Sequence, residues 1–302
     1  MRSAAKVFST VVMLLMAALP VQSRAQQLKS ASVVTGDTVE QRSFLSAALQ
    51  RQMRYEIVLP AGYESGQKRY PVLYLLHGWE GDETNWVKLT HLVELASRYA
   101  VIVVTPQAAN SWYVNSASNP ADRYADYIAD DLIAEVDVHY RTIASSHQRA
   151  VAGLSMGGYG ALLLTFRHPG LFSFAGSISG AFAAPSGVEQ VMPQLKPSTD
   201  QAFGPTGSQT REDNNLDTLI AATDPAKIPY MFIDCGTVDP FLRSNRHVVE
   251  EISARGFDYE YHELPGAHTW SFWDNSLPSL LDALSRKFHL EGPAVTPRTI
   301  TH

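Results

Sequence analysis

The chain has 302 residues, 45% of them hydrophobic and 18% charged, an ordinary globular balance that excludes a fibrous or disordered protein and leaves ample material for a core. Its 24 basic and 30 acidic residues give a net charge of −6, which argues against nucleic acid and anionic lipid as partners. The single cysteine, Cys235, rules out an intramolecular disulfide, and no CxxC or His-rich spacing points to a metal.

Residues 1–25 read as a signal peptide. Arg2 and Lys6 form a basic start, residues 7–19 are almost unbroken apolar, and Ser23-Arg24-Ala25 places small residues at −3 and −1 of a cleavage site before Gln26. The apolar run is short for a membrane span, so no membrane insertion is expected after cleavage. Loss of Arg2, Lys6 and Arg24 takes the 24 basic residues to 21 against 30 acidic, a net charge of −9 for an exported, periplasmic or extracellular protein.

From residue 30 to 60 the pattern predicts extended stretches at 32–34, 42–48 and 55–59, an antiparallel beginning. Residues 70–76 form a continuous apolar run typical of a strand buried on both faces, ending at His77-Gly78-Trp79-Glu80-Gly81. The spacing of Trp86, Leu89, Leu92, Val93 and Leu95 predicts an amphipathic helix over 84–99, followed by a second buried strand at 100–105. A polar loop with Trp112 and Tyr113 spans 107–120, and a helix is predicted over 122–140.

A third buried strand leads to Gly153-Leu154-Ser155-Met156-Gly157-Gly158, and a helix follows until Pro169 and Gly170 stop it. Strands are predicted at 172–179, 230–235 and 259–264, with helices at 241–255 and 276–289. Residues 181–227 are irregular, with short helices expected at 188–194 and 216–222. Strands alternating with helices predict one α/β domain over 26–289, with a mostly parallel sheet, helices on both faces and an antiparallel N-terminal portion. Residues 290–302 read as a disordered tail.

The motif G-x-S-x-G between a strand and a helix is the signature of a nucleophilic serine on a sharp turn. A serine hydroxyl needs a histidine to take its proton and a carboxylate to orient that histidine, in the chain order Ser, Asp or Glu, His. Asp239, on the loop beyond strand 230–235, suits the acid better than Asp234 within the strand, because a loop residue can lean towards the serine. For the base, His268 on the loop after strand 259–264 is preferred to the strand residue His262 and to the helical His247. Backbone N–H groups of Trp79 and Met156 are the expected oxyanion donors. His77 precedes the serine and is assigned a positioning role, with a substrate contact at the site also expected. Cys235, in an apolar strand, reads as a buried hydrophobe.

Leu75-Leu76-His77-Gly78-Trp79 with Trp86, Gly153-Leu154-Ser155-Met156-Gly157-Gly158, Gly236-Thr237-Val238-Asp239 and Gly266-Ala267-His268-Thr269-Trp270-Ser271-Phe272-Trp273 together resemble the esterase D-like esterases. These α/β hydrolases include S-formylglutathione hydrolases, feruloyl esterase modules of xylan-degrading enzymes and mycolyltransferases. The resemblance runs from about residue 32 to 289 and implies an α/β-hydrolase fold. It implies ester hydrolysis without metal or organic cofactor, Ser155 as nucleophile, Asp239 as acid, His268 as base, and oxyanion N–H groups from Trp79 and Met156. With the signal peptide it suggests an exported esterase acting on short-chain esters or on acetyl or feruloyl esters of carbohydrate. An acyltransferase using a sugar or alcohol acceptor, an S-formylglutathione hydrolase-like thioesterase and a non-enzymatic ligand-binding descendant stay open as alternatives. Trp79, Trp112, Tyr113, Trp270 and Trp273 are read as loop aromatics at the mouth, either stacking on a sugar or feruloyl ring or packing around the triad.

Overall fold

A computed structural model describes residues 39–290. The leader at 1–25, the extended stretch at 32–34 and all of the expected tail except Leu290 lie outside the described residues. Eight strands make one sheet: β1 (Val39–Ser46), β2 (Arg51–Val58), β3 (Val72–Leu76), β4 (Ile102–Pro106), β5 (Arg149–Leu154), β6 (Phe174–Ile178), β7 (Tyr230–Gly236) and β8 (Tyr259–Leu264). Their order is β1-β2-β4-β3-β5-β6-β7-β8. β2 is antiparallel to both its neighbours, and the pairs from β4 to β8 are parallel. The antiparallel portion therefore comes down to the β1–β2 hairpin, in which only β2 opposes the other strands.

The ten α-helices among the described residues are α1 (Asn85–Leu89), α2 (Leu92–Ala96), α3 (Tyr124–Asp126), α4 (Ile133–His139), α5 (Met156–Arg167), α6 (Lys196–Phe203), α7 (Gln209–Asp213), α8 (Leu216–Ala222), α9 (Leu242–Ala254) and α10 (Trp270–Phe288). Side chains alternate across a strand, and β3 feeds two cores accordingly. Val72, Tyr74 and Leu76 join the core that holds residues of α4, α5, α8 and α9. Leu73 and Leu75 join the core that holds residues of α1, α2 and α10. Each fully buried Leu or Val contributes about 1.5–3 kcal/mol relative to exposure, so the central strands anchor both layers.

The expected helix over 84–99 is two helices. Thr90 is extended (φ −139°, ψ 173°), its hydroxyl bonds back to the Trp86 carbonyl, and it accepts the Leu92 N–H at 3.2 Å. This local competition ends one helix and starts the next, leaving Leu89, expected in the stripe, 48% exposed. The expected 122–140 helix starts at Tyr124 and passes through a π-helical turn at Tyr127–Leu132 between α3 and α4. The closing helix begins at Trp270 instead of 276, capped by the Thr269 side chain accepting the Phe272 N–H.

Residues 181–227 contain α6 and α7, which the sequence did not reveal, besides α8 as expected. The segment has its own polar hub. The buried guanidinium of Arg211 donates to Glu189 at 3.1 Å, Asp200 at 2.8 Å, the Gly204 carbonyl at 2.9 Å and the Pro185 carbonyl at 3.1 Å. A buried cation is tolerable only when so fully paired.

Candidate active site

Ser155 follows β5 directly and caps α5, with φ 53° and ψ −116°. This is left-handed backbone that a non-glycine residue adopts at a cost on the order of 1–3 kcal/mol. Two glycines make the turn possible. A Cβ on Gly153 would lie 2.5 Å from the Gly157 carbonyl carbon, and one on Gly157 would lie 2.5 Å from the Leu76 carbonyl oxygen. The backbones of β3, the turn and α5 therefore meet directly, and G-x-S-x-G is a packing requirement here.

Asp239 and His268 reach Ser155 from loops beyond β7 and β8, at the carboxyl end of the parallel strands where such sheets present their ligands. His268 Nε2 lies 2.9 Å from Ser155 Oγ, and His268 Nδ1 lies 2.9 Å from Asp239 Oδ2. The second Asp239 oxygen accepts the Phe241 N–H at 2.8 Å. Ionised Asp239 can only accept, so Nδ1 carries the proton and Nε2 offers its lone pair to the serine hydroxyl. Phe241 and Trp273 present edge-to-face contacts to the imidazole at 4.8 and 4.9 Å between centroids, restricting its rotation. Asp234 instead pairs with His262, Nδ1 to Oδ1 at 2.7 Å, within the sheet.

Met156 begins α5, whose first N–H groups have no intrahelical acceptor. The Trp79 N–H, on the turn after β3, has no protein acceptor among the described residues. His77 is buried and does not line the cavity beside Ser155, a correction to the expected substrate contact, and both its ring nitrogens are engaged. Nδ1–H donates to the Gly78 carbonyl at 2.7 Å, and Nε2 accepts the Ala108 N–H at 3.0 Å. Burial lowers its pKa, so the ring is neutral and has no free lone pair with which to act as a base.

The aromatic residues expected at the mouth divide. Tyr113 is fully buried, with its hydroxyl donating to the His77 carbonyl at 2.9 Å. It does not line the cavity beside Ser155, a correction to the expected stacking role. Trp112 is also buried, its Nε1 donating to Ser198 Oγ at 3.1 Å, although it contributes to the cavity wall. Trp270 and Trp273 sit on the first turn of α10, not on a loop. Trp270 is partly exposed, packs edge-on against Trp86 and Trp273, and lines the cavity.

That cavity, about 190 Å³, opens beside Ser155 and His268. Met192, Leu195 and Phe241, which sequence reasoning did not single out, close it together with Trp79, Trp112 and Trp270. Met192 and Leu195 are apolar positions inside a Pro- and Gly-rich segment, the one sequence signal that marked them. Cys235 is buried, its thiol pushed well up by burial. Among the described residues no group of three or more His, Cys, Asp or Glu could hold a metal ion, and no helix is long and apolar enough to cross a membrane.

The sheet order and strand-end site are those of the α/β-hydrolase fold, and a ferulic acid esterase structure superposes with a TM-score of 0.70 at 25% identity, covering 82% of this chain and 98% of that one. The family model described as "Putative esterase" matches residues 46–284, and the chain belongs to that family of carboxylic ester hydrolases. An acetyl esterase of Caldicellulosiruptor saccharolyticus is 24% identical over 262 residues, which are 82% of this chain and 98% of that protein. An endo-1,4-beta-xylanase/feruloyl esterase of Xylanibacter ruminicola is 26% identical over 260 residues, 82% of this chain but 31% of that longer protein.

Proposed function

We propose that this chain is an exported serine esterase that removes short acyl, acetyl or feruloyl groups from carbohydrate or simple alcohols, with Ser155, His268 and Asp239 as its catalytic triad. The observation that carries it is the pair of 2.9 Å contacts joining Ser155 Oγ, His268 and Asp239 around a strained serine.

In this reading Ser155 Oγ attacks the ester carbonyl while His268 Nε2 takes its proton. The tetrahedral oxyanion is held by the Trp79 and Met156 N–H groups, each worth about 3 kcal/mol. On collapse the C–O bond to the alcohol breaks, and His268 returns the proton to the leaving oxygen. Water then repeats the sequence on the acyl-enzyme, releasing the acid and free serine. Asp239 orients the imidazole and stabilises its protonated form. The apolar wall of Met192, Leu195, Phe241 and Trp112 suits an acyl group, and the partly exposed Trp270 ring would stack on a sugar or aryl ring. The named activities of the acetyl esterase and feruloyl esterase relatives support the carbohydrate ester reading. The basic and apolar pattern of residues 1–25 supports export.

Hydrolysis of p-nitrophenyl acetate, methyl ferulate, acetylated xylan and S-formylglutathione by the wild type and Ser155→Ala tests this. A loss of at least about 10⁴-fold in kcat is expected for Ser155→Ala. Wild-type rates in that variant would remove Ser155 from the reaction, and a marked preference for S-formylglutathione would replace the carbohydrate ester reading with a thioesterase one.

A further inference from the structure

The Gly78–Trp79 peptide is held from one side by groups outside the triad. A trans peptide is planar, with its C=O and N–H pointing in opposite directions. Whatever fixes the Gly78 carbonyl therefore also aims the Trp79 N–H. That carbonyl accepts from His77 Nδ1–H at 2.7 Å and from the Gly81 N–H at 3.0 Å. The His77 ring is fixed in turn by the Ala108 N–H on its Nε2, and the His77 carbonyl accepts from the Tyr113 hydroxyl at 2.9 Å. On the other side of Trp79, the Glu80 N–H donates to Asn110 Oδ1 at 2.7 Å. Ala108, Asn110 and Tyr113 all belong to the loop after β4. It carries three non-glycine residues at positive φ, Ala109 (47°), Trp112 (56°) and Tyr113 (58°), and Glu80 opposite is at 59°. Strain of this kind persists only where the surroundings over-determine the conformation.

We propose that the 108–113 loop is a clamp that aims the Trp79 N–H at the developing oxyanion, with the Tyr113 hydroxyl and the neutral His77 ring as its positioning groups. The inference rests on the esterase reading and adds to it a second layer of residues that never touch substrate. Tyr113 is buried inward because its task is to hold the β3 turn. The ring of Tyr113 packs so closely on α5 that a Cβ at Gly160 would lie 2.5 Å from it, so the clamp also registers the Trp79 turn against the helix that carries Met156.

The test is Tyr113→Phe, which keeps the ring and removes the hydroxyl. Active sites are counted by fluorophosphonate titration, and kcat and KM are measured for a p-nitrophenyl ester and its thionoester, whose sulfur is a poor guest for oxyanion donors. A fall in kcat per active site of about tenfold or more, with KM within about twofold and a reduced oxygen-to-sulfur rate ratio, is expected. Unchanged kcat per site with an unchanged ratio would overturn the clamp. If Tyr113→Phe does not fold, Asn110→Ala, at a half-buried position, removes the acceptor for the Glu80 N–H. It should lower the same ratio, and an unaltered ratio there would overturn the proposal. Ser155→Ala run alongside separates the two readings: activity surviving in it defeats the assignment of Ser155 as nucleophile, whereas an inert Ser155→Ala with an unaltered ratio in the clamp variant defeats the clamp alone.

Discussion

Two of the aspartate–histidine pairs belong to β7 and β8 and the loops that leave them, and they behave as different objects. Asp234 and His262 are directly opposed residues in the β7–β8 register. Asp239 and His268 lie on the loops leaving the same strands. The chemistry of each pair is alike, an Nδ1 to carboxylate contact of 2.7 and 2.9 Å respectively. Only the second has its Nε2 directed at a serine hydroxyl, while the His262 Nε2 faces Glu260 at 3.2 Å. Position past the strand ends, rather than the pairing itself, separates the proposed triad from a cross-strand tie.

Three variants bear on that contrast. The largest effect is expected from Asp239→Asn, which leaves His268 without its charged orienting partner and should lower kcat by about 10³–10⁴-fold on p-nitrophenyl acetate. Asp234→Asn should leave kcat within about threefold, and a comparable loss in both variants would erase the distinction. Asp234→Asn should show itself instead in the pH dependence of stability. Burial raises the Asp234 carboxyl to about 6, above the ordinary value near 4. The folded state thus holds this proton more tightly than the unfolded chain. Its stabilisation is present below about pH 4 and lost as the pH rises to about 6. Across that window Asp234→Asn should gain on the wild type by on the order of 2 kcal/mol, read as a difference in Tm of several degrees. A difference independent of pH would show that Asp234 is ionised throughout. The smallest effect is expected from His262→Gln, on a side chain 37% exposed, which should alter kcat less than twofold and Tm by a few degrees at most.

The two pairs also mark what the sequence could disclose. The long apolar runs of β3, β4 and β5 stood out because strands buried on both faces need no alternation, and Ser155 and Asp239 were placed by lying beyond such runs, His268 by following the last, more polar strand. The contact of His268 with Asp239 was within reach because a loop position leaves a carboxylate free to turn. What stayed hidden was set by local side-chain chemistry or by backbone torsion. The Thr90 hydroxyl breaks one expected helix in two, and Pro278 inside α10 disguises a helix that starts at Trp270. The left-handed torsions of Trp112 and Tyr113 turn two aromatics inward, and neither residue type announces such a torsion. In residues 181–227, Pro193, Pro197 and Gly204 read as loop, although Pro197 occupies the first turn of α6, where its missing N–H costs nothing.

The Arg211 hub gives that last segment a separate character. Its bonds to Glu189, Asp200, Gly204 and Pro185 are internal to residues 181–227. Among its ties to the rest of the protein are Trp112 to Ser198 and Tyr159 to the Asn214 carbonyl. The segment supplies Met192 and Leu195 to the cavity but no member of the triad. It is nevertheless built into the frame of the site: Phe182, Leu195, Phe203, Leu216 and Ile220 share one core with α5, and the Ala181 N–H donates to the Ser155 carbonyl at 3.0 Å, so the cavity can be re-cut one side chain at a time, at Met192 or Leu195, while the serine turn beneath keeps its glycines and its torsions.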